Sequence, residues 1–153
     1  MRKVFLFIAA VSLSMTMMAE KTWVDLGLPS GALWASEPEK GYYTYTEAVE
    51  QFRPNLPTKW QWNELLESCL MDKNANGDIV LTGKNGATLI IPTLGYIYKD
   101  GKVQDTDKGH YHAFNNFDRK YAWNVTIYFP NQGDFLTWTF KDTHHMSVLL
   151  VNK

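Results

Sequence analysis

The chain has 153 residues, 15 basic and 16 acidic side chains and a formal charge of −1, and 14% of it is aromatic. That length suits one hydrophobic core rather than two ordinary domains, and the near-neutral charge disfavours nucleic acid or an anionic membrane surface as partner. The single cysteine, Cys69, excludes an intramolecular disulfide, so stability must come from packing, to which six tryptophans and eight tyrosines bring large apolar areas.

Residues 1–19 read as a secretory signal peptide: Arg2 and Lys3 form a short positive segment, Val4 to Leu13 is apolar except for Ser12, and Ala19 is a small residue at the expected cleavage point. The apolar run is shorter than the roughly 20 residues of a membrane span. The expectation is therefore an exported protein, periplasmic, surface-bound or secreted, with residues 20–153 as its domain and no span after cleavage. Residues 1–19 carry two basic side chains and no acidic one, which leaves 134 residues with 13 basic against 16 acidic groups and a charge of −3.

From Trp23 to Ala35, two apolar segments flank Gly27-Leu28-Pro29-Ser30-Gly31, the pattern of strand, tight turn and strand. Thr44 with Glu47 has capping-box spacing at the head of a short helix that Pro54 closes. Thr58 with Gln61 repeats the device, and Trp62, Leu65, Leu66 and Cys69 recur at helical spacing, placing one stripe, Cys69 included, toward the core. No neighbouring cation is in place to activate the Cys69 thiol, so it reads as a small buried hydrophobe.

Beyond Asp78 the pattern turns to strands: Ile79 to Thr82, Thr88 to Ile91, Gly95 to Tyr98, His110 to Phe114, Ala122 to Phe129, Leu136 to Phe140 and Ser147 to Val151, with an Asn85-Gly86 hairpin turn and a second turn at Lys99 to Lys102. Two early helices followed by antiparallel strands predict the α+β class.

Four segments taken together resemble the Fibrobacter-type major paralogous domain. They are Trp-Val-Asp-Leu-Gly-Leu-Pro-Ser-Gly-x-Leu-Trp-Ala (23–35), Leu-Pro-Thr-Lys-x-x-Trp-x-Glu-Leu (56–65), Thr-Gly-x-Asn-Gly-x-x-Leu-x-x-Pro-x-x-Gly-Tyr (82–96) and Tyr-Ala-Trp-x-x-x-x-Tyr-Phe (121–129). The resemblance covers nearly all of residues 20–153. It implies a C-type-lectin-like domain, similar in fold to the formylglycine-generating (sulfatase-modifying) enzymes, in an exported protein of Gram-negative bacteria. The chain departs from the family pattern at Asn55, at His110-Tyr111-His112-Ala113 and at Ser147-Val148-Leu149. It also lacks the pair of cysteines on which the formylglycine-generating enzymes depend, so the resemblance carries no catalytic machinery and no cofactor.

Several constellations of residues bear on chemistry. Asp72 to Asp78 opens like an EF-hand calcium loop, but Gly83 stands where its closing Glu belongs, and an Asn-Gly surface turn is the simpler reading. His110 with His112 and His144 with His145 form two close pairs, and alternation puts the first pair on one side of a strand. No carboxylate or thiol is fixed beside them by spacing, so they read as surface histidines near loop ends, with no metal site. Aromatic and amide residues in the C-terminal half supply the candidate ligand contacts: Tyr111, His112, Asn115, Asn116, Arg119, Trp138 and His144. The expected function is a non-catalytic binding module for a glycan or protein at the cell exterior. The alternatives are an inhibitor or immunity-type protein against a secreted enzyme or toxin, and a hydrolase or metal enzyme using the histidine pairs.

Overall fold

The structure, a computed structural model, describes residues 21–130 and 135–153. The expected signal segment lies outside the described residues. Among them no helix is long and apolar enough to cross a membrane. The elements run β1 (Trp23–Asp25), β2 (Leu33–Ala35), α1 (Tyr45–Phe52), α2 (Lys59–Ser68), β3 (Leu70–Lys73), β4 (Ile79–Thr82), β5 (Thr88–Ile91), β6 (Tyr96–Ile97), β7 (Val103–Gln104), β8 (Gly109–Asn116), β9 (Tyr121–Ile127), β10 (Leu136–Phe140) and β11 (Val151–Asn152). Among the described residues, two helices and sheets whose named strands pair antiparallel make this an α+β domain.

Both helices start where their capping boxes dictate. The Thr44 and Thr58 hydroxyls accept from the amides of Glu47 and Gln61, whose side chains in turn accept from the two threonine amides. Cys69 is buried as expected, though it stands just past the end of α2 in extended conformation, and burial pushes its thiol pKa up.

Helix α2 is keyed into the core by Trp62. Its ring lies 4.7 Å from that of Trp34 on β2 and 5.6 Å from that of Tyr111 on β8, and its indole N–H donates to the His112 carbonyl at 3.1 Å. Leu65, Leu81, Ile91, Val125, Ile127 and Leu149 close around this aromatic axis. The last segment, expected as one strand from Ser147, runs as irregular buried chain to Leu150 and is strand only at Val151–Asn152, which pairs with β2. Its backbone bonds go to several partners in turn: Ser147 exchanges with His110 and His112, Leu150 accepts from Ala35, and Val151 donates to Asn55. A continuous ladder would have tied it to one strand only.

The segments that carry the family resemblance interlock. Ser30 donates both its amide and its hydroxyl to the Glu64 carboxylate, at 3.0 and 2.6 Å, and the Asn85 amide group donates to the Asp25 carbonyl at 2.9 Å. Gly83 packs so closely on the Leu26 carbonyl that a Cβ there would sit 2.1 Å from its oxygen. These residues hold the β1–β2 turn, α2 and the β4–β5 hairpin together, so their role is in the scaffold. The departures are structural too. The Asn55 side chain donates to the Val151 carbonyl, and Tyr111, Ala113, Ser147, Val148 and Leu149 are buried.

The segment 72–78 runs from the end of β3 through the hairpin turn that leads into β4. The Asn74 side-chain oxygen accepts from the amides of Asn76 and Asp78, and Asp78 accepts from the Thr93 amide, so both groups are occupied in shaping the turn.

Candidate functional site

The sheet β10-β9-β8 has one face whose character changes along its length. Alternation along β9 sends Tyr121, Trp123, Val125 and Ile127 to the same side, and register sets them beside Phe140, Trp138 and Leu136 of β10 and Tyr111 and Gly109 of β8. At one end Val125, Ile127 and Tyr111 meet the core under α2. At the other end the sheet outruns its cover, and the same face emerges as an aromatic strip.

Trp123 and Trp138 are directly paired across the strands, as are Tyr121 and Phe140. Phe117, from the turn after β8, stacks parallel on Trp138 with ring centres 5.0 Å apart and meets Trp123 edge-on at 5.5 Å. Tyr121 lies edge-on to Trp138 at 5.0 Å and 4.5 Å from Phe140. Mutual packing fixes these rings yet leaves them accessible: Trp138 is 48% exposed, Phe117 47% and Phe140 43%. Beside them, the Lys59 ammonium lies 4.7 Å from the Trp123 ring centre and 4.6 Å from that of Trp60, which is 66% exposed. The Asn115 side-chain oxygen accepts from the Lys59 amide at 2.8 Å and so anchors the start of α2 at the strip.

The residues picked out from sequence therefore fall into three groups. Trp138 is in the strip, Asn115 positions its edge, and Asn116 and Arg119 are exposed at the same end of the sheet, at the tip of β8 and in the β8–β9 turn. Tyr111 and His112 are corrected: both are buried and cannot reach a ligand. The Tyr111 hydroxyl donates to the Pro92 carbonyl, and burial raises its pKa. His112 donates from Nε2 to the Tyr43 carbonyl, and burial pushes its pKa down to about 4. His144 lies elsewhere, stacked against Tyr96 and Tyr98 with ring centres 5.5 and 4.7 Å away. Sequence reading left Tyr121, Trp123, Phe140, Lys59 and Trp60 out of the site. The available signal was the i, i+2 aromatic spacing in both β9 and β10, which aligns only once the register is known.

The expectation of surface histidines is also corrected. His110 and His112 do share one side of β8, but that side is covered and both rings are buried. His110 Nε2 is 2.6 Å from an Asp105 carboxylate oxygen, and its Nδ1 is 3.4 Å from the Thr126 hydroxyl. Burial lowers the His110 pKa despite that carboxylate. The Asp105 carboxyl is itself raised by burial, but the His110 hydrogen bond and the nearby charges outweigh this and bring it below the usual range. Thr126 continues through Thr137 to Asn124, which donates to Thr139, a ladder of polar side chains that stitches β8, β9 and β10 together. Among the described residues no group of three or more His, Cys, Asp or Glu side chains is placed to hold a metal ion.

A cleft of about 580 Å³ lies between the β2–α1 connection and the end of α1, lined by Lys21, Glu37, Lys40, Tyr43, Gln51 and Phe52 among others. It shares no residue with the strip, and the Lys21–Glu39 ion pair lies along its wall. Set against known proteins, the chain matches no family model, no curated protein and no solved structure.

Proposed function

We propose that this protein is an exported, non-catalytic binding domain of C-type-lectin-like architecture that holds a glycan on the aromatic strip of β9 and β10. The observation that carries this reading is the set of rings at one end of the sheet, packed against one another and still open to solvent. Side chains of that size normally go inside, and an exposed patch of them marks an interaction surface. Rings held rigid by their neighbours lose little conformational freedom on binding, and the apolar C–H faces of pyranose rings fit flat aromatic surfaces. The resemblance of the four sequence segments supports the fold assignment and the exported location. The interlocking of those segments supports a division of labour, with a constant scaffold beneath a separate binding end.

The test is a glycan-array screen of the purified protein, with calcium and with chelator, beside Trp138→Ala. Trp138 is half-exposed on an edge strand, so the variant is expected to keep its melting temperature within a few degrees while losing saturable binding. Silence of the native protein on the array, together with a one-to-one complex in an envelope pull-down, would replace the glycan with a protein partner.

A further inference from the structure

We infer that the saccharide taken by the strip is acidic, a uronate-bearing chain whose carboxylate pairs with Lys59. The inference rests on the glycan reading of the strip and specifies its chemistry. The Lys59 ammonium is held between two indoles, yet it makes no hydrogen bond or ion pair with any described residue: the ion-paired cations are Lys21, Lys108, His110 and His145. Cation–π attraction fixes its position without saturating its three N–H donors. Trp123, one of the two rings beside it, is the direct cross-strand partner of Trp138. A sugar lying on this tryptophan pair therefore has its ring substituents next to a positive charge that no described residue pairs.

That charge discriminates between ligands. A neutral saccharide would strip water from the ammonium and return only weak hydroxyl contacts, which costs affinity. A carboxylate restores a charge-assisted hydrogen bond in a site partly shielded from water. The surrounding charge has the same sense: the β8–β9 turn adds the exposed Arg119 and Lys120, while its Asp118 carboxylate accepts from the backbone amides of Lys120 and Tyr121 at 2.7 and 2.9 Å.

The experiment compares polygalacturonate and alginate with the same polymers after carboxyl reduction, by titration against the native protein, Trp138→Ala and Lys59→Met at low and high salt. Methionine keeps an unbranched apolar side chain against the two indoles and removes the charge; its melting temperature reports whether the fold is retained. The expected result is binding of the acid form, at least about tenfold weaker binding of the reduced form, a similar loss in Lys59→Met and a clear weakening by salt. Equal affinity for the two forms, unchanged by Lys59→Met but abolished by Trp138→Ala, overturns the acidic ligand and leaves the glycan site standing. Binding to neither form overturns the uronate ligand, and the glycan reading then stands or falls on the array.

Discussion

The imidazole of His112 is enclosed, edge-on to Tyr45 and bonded to the Tyr43 carbonyl, and burial holds its pKa near about 4 against an ordinary value of 6.5. Between those values the unfolded chain carries a proton that the folded chain refuses, so stability rises with pH through the window. It is complete above about pH 6.5 and is lost as the pH falls toward 4, by up to about 3 kcal/mol at 1.36 kcal/mol per unit. His110 shifts in the same direction for the same leading reason, its burial. The carboxyls of Glu47 and Asp105, both lowered, extend the loss to more acid conditions as they take up protons. His112→Gln keeps a donor for Tyr43 and removes the titration. Urea midpoints measured across pH 4 to 6.5 should therefore fall less steeply in the variant, and parallel profiles would show that His112 is not the group responsible.

The β4–β5 hairpin illustrates what an element owes to its neighbour. Ile79 to Thr82 and Thr88 to Ile91 alternate correctly, and Asn85-Gly86 suits the turn, with Gly86 at φ 85°. Local chemistry therefore explains why the hairpin forms, but Gly83 is required for another reason. Its backbone lies against the Leu26 carbonyl of the β1–β2 turn, and the Asn85 side chain reaches across to the Asp25 carbonyl. Gly83→Ala places a methyl group against backbone that cannot rotate away, so the two turns must separate. The expected cost is about 2–3 kcal/mol in a urea titration, well beyond an ordinary surface change. A variant within about 0.5 kcal/mol of the native protein would mean that the two turns can separate without loss. Helix α2 shows the opposite balance: its start follows from Thr58 and Gln61 alone, with Asn115 adding one bond from the sheet.

At the scale of the whole molecule the packing is uneven. The Trp34, Trp62 and Tyr111 axis joins β2, α2 and β8, and the irregular chain from Met146 to Leu150 is buried alongside β8 and β2. The two-residue strands β6 and β7 form a small sheet of their own, tied to the rest through the Ile97–His145 bridge, and β10 is an edge strand with exposed rings. Opening energies follow this contrast, since segments with few buried apolar contacts open without unfolding the rest. Native-state hydrogen exchange should find the amides of Leu65, Tyr111 and Val125 among the slowest, and those around Val103 among the fastest. Uniform protection across both sets would contradict a core centred on the tryptophan axis. The same unevenness supports the proposed function, because the strip stands on a sheet whose other end is locked into that core.

Much of the local structure could be read from the residues. Both capping boxes, the buried stripe of α2, the β4 and β5 bounds and the α+β class depend on near neighbours in the chain, where spacing and turn chemistry act directly. Strand β3 was not foreseen, because Leu70 to Lys73 lacks an apolar alternation and owes its state to pairing with β4. The fates of single aromatic and histidine residues were likewise beyond sequence. Tyr111 and Trp138 are both ring residues on strands, facing the same side of one sheet, and distant segments, Trp62 of α2 and Pro92 among them, close over the first and leave the second open. His112 reads as a surface group because nothing nearby in sequence covers it; its cover includes Tyr43 and Tyr45, from a distant part of the chain. Residue order thus determined which elements form, since that rests on short-range bonding and propensity. Tertiary structure alone decided which faces meet water, since burial depends on what a distant segment happens to cover.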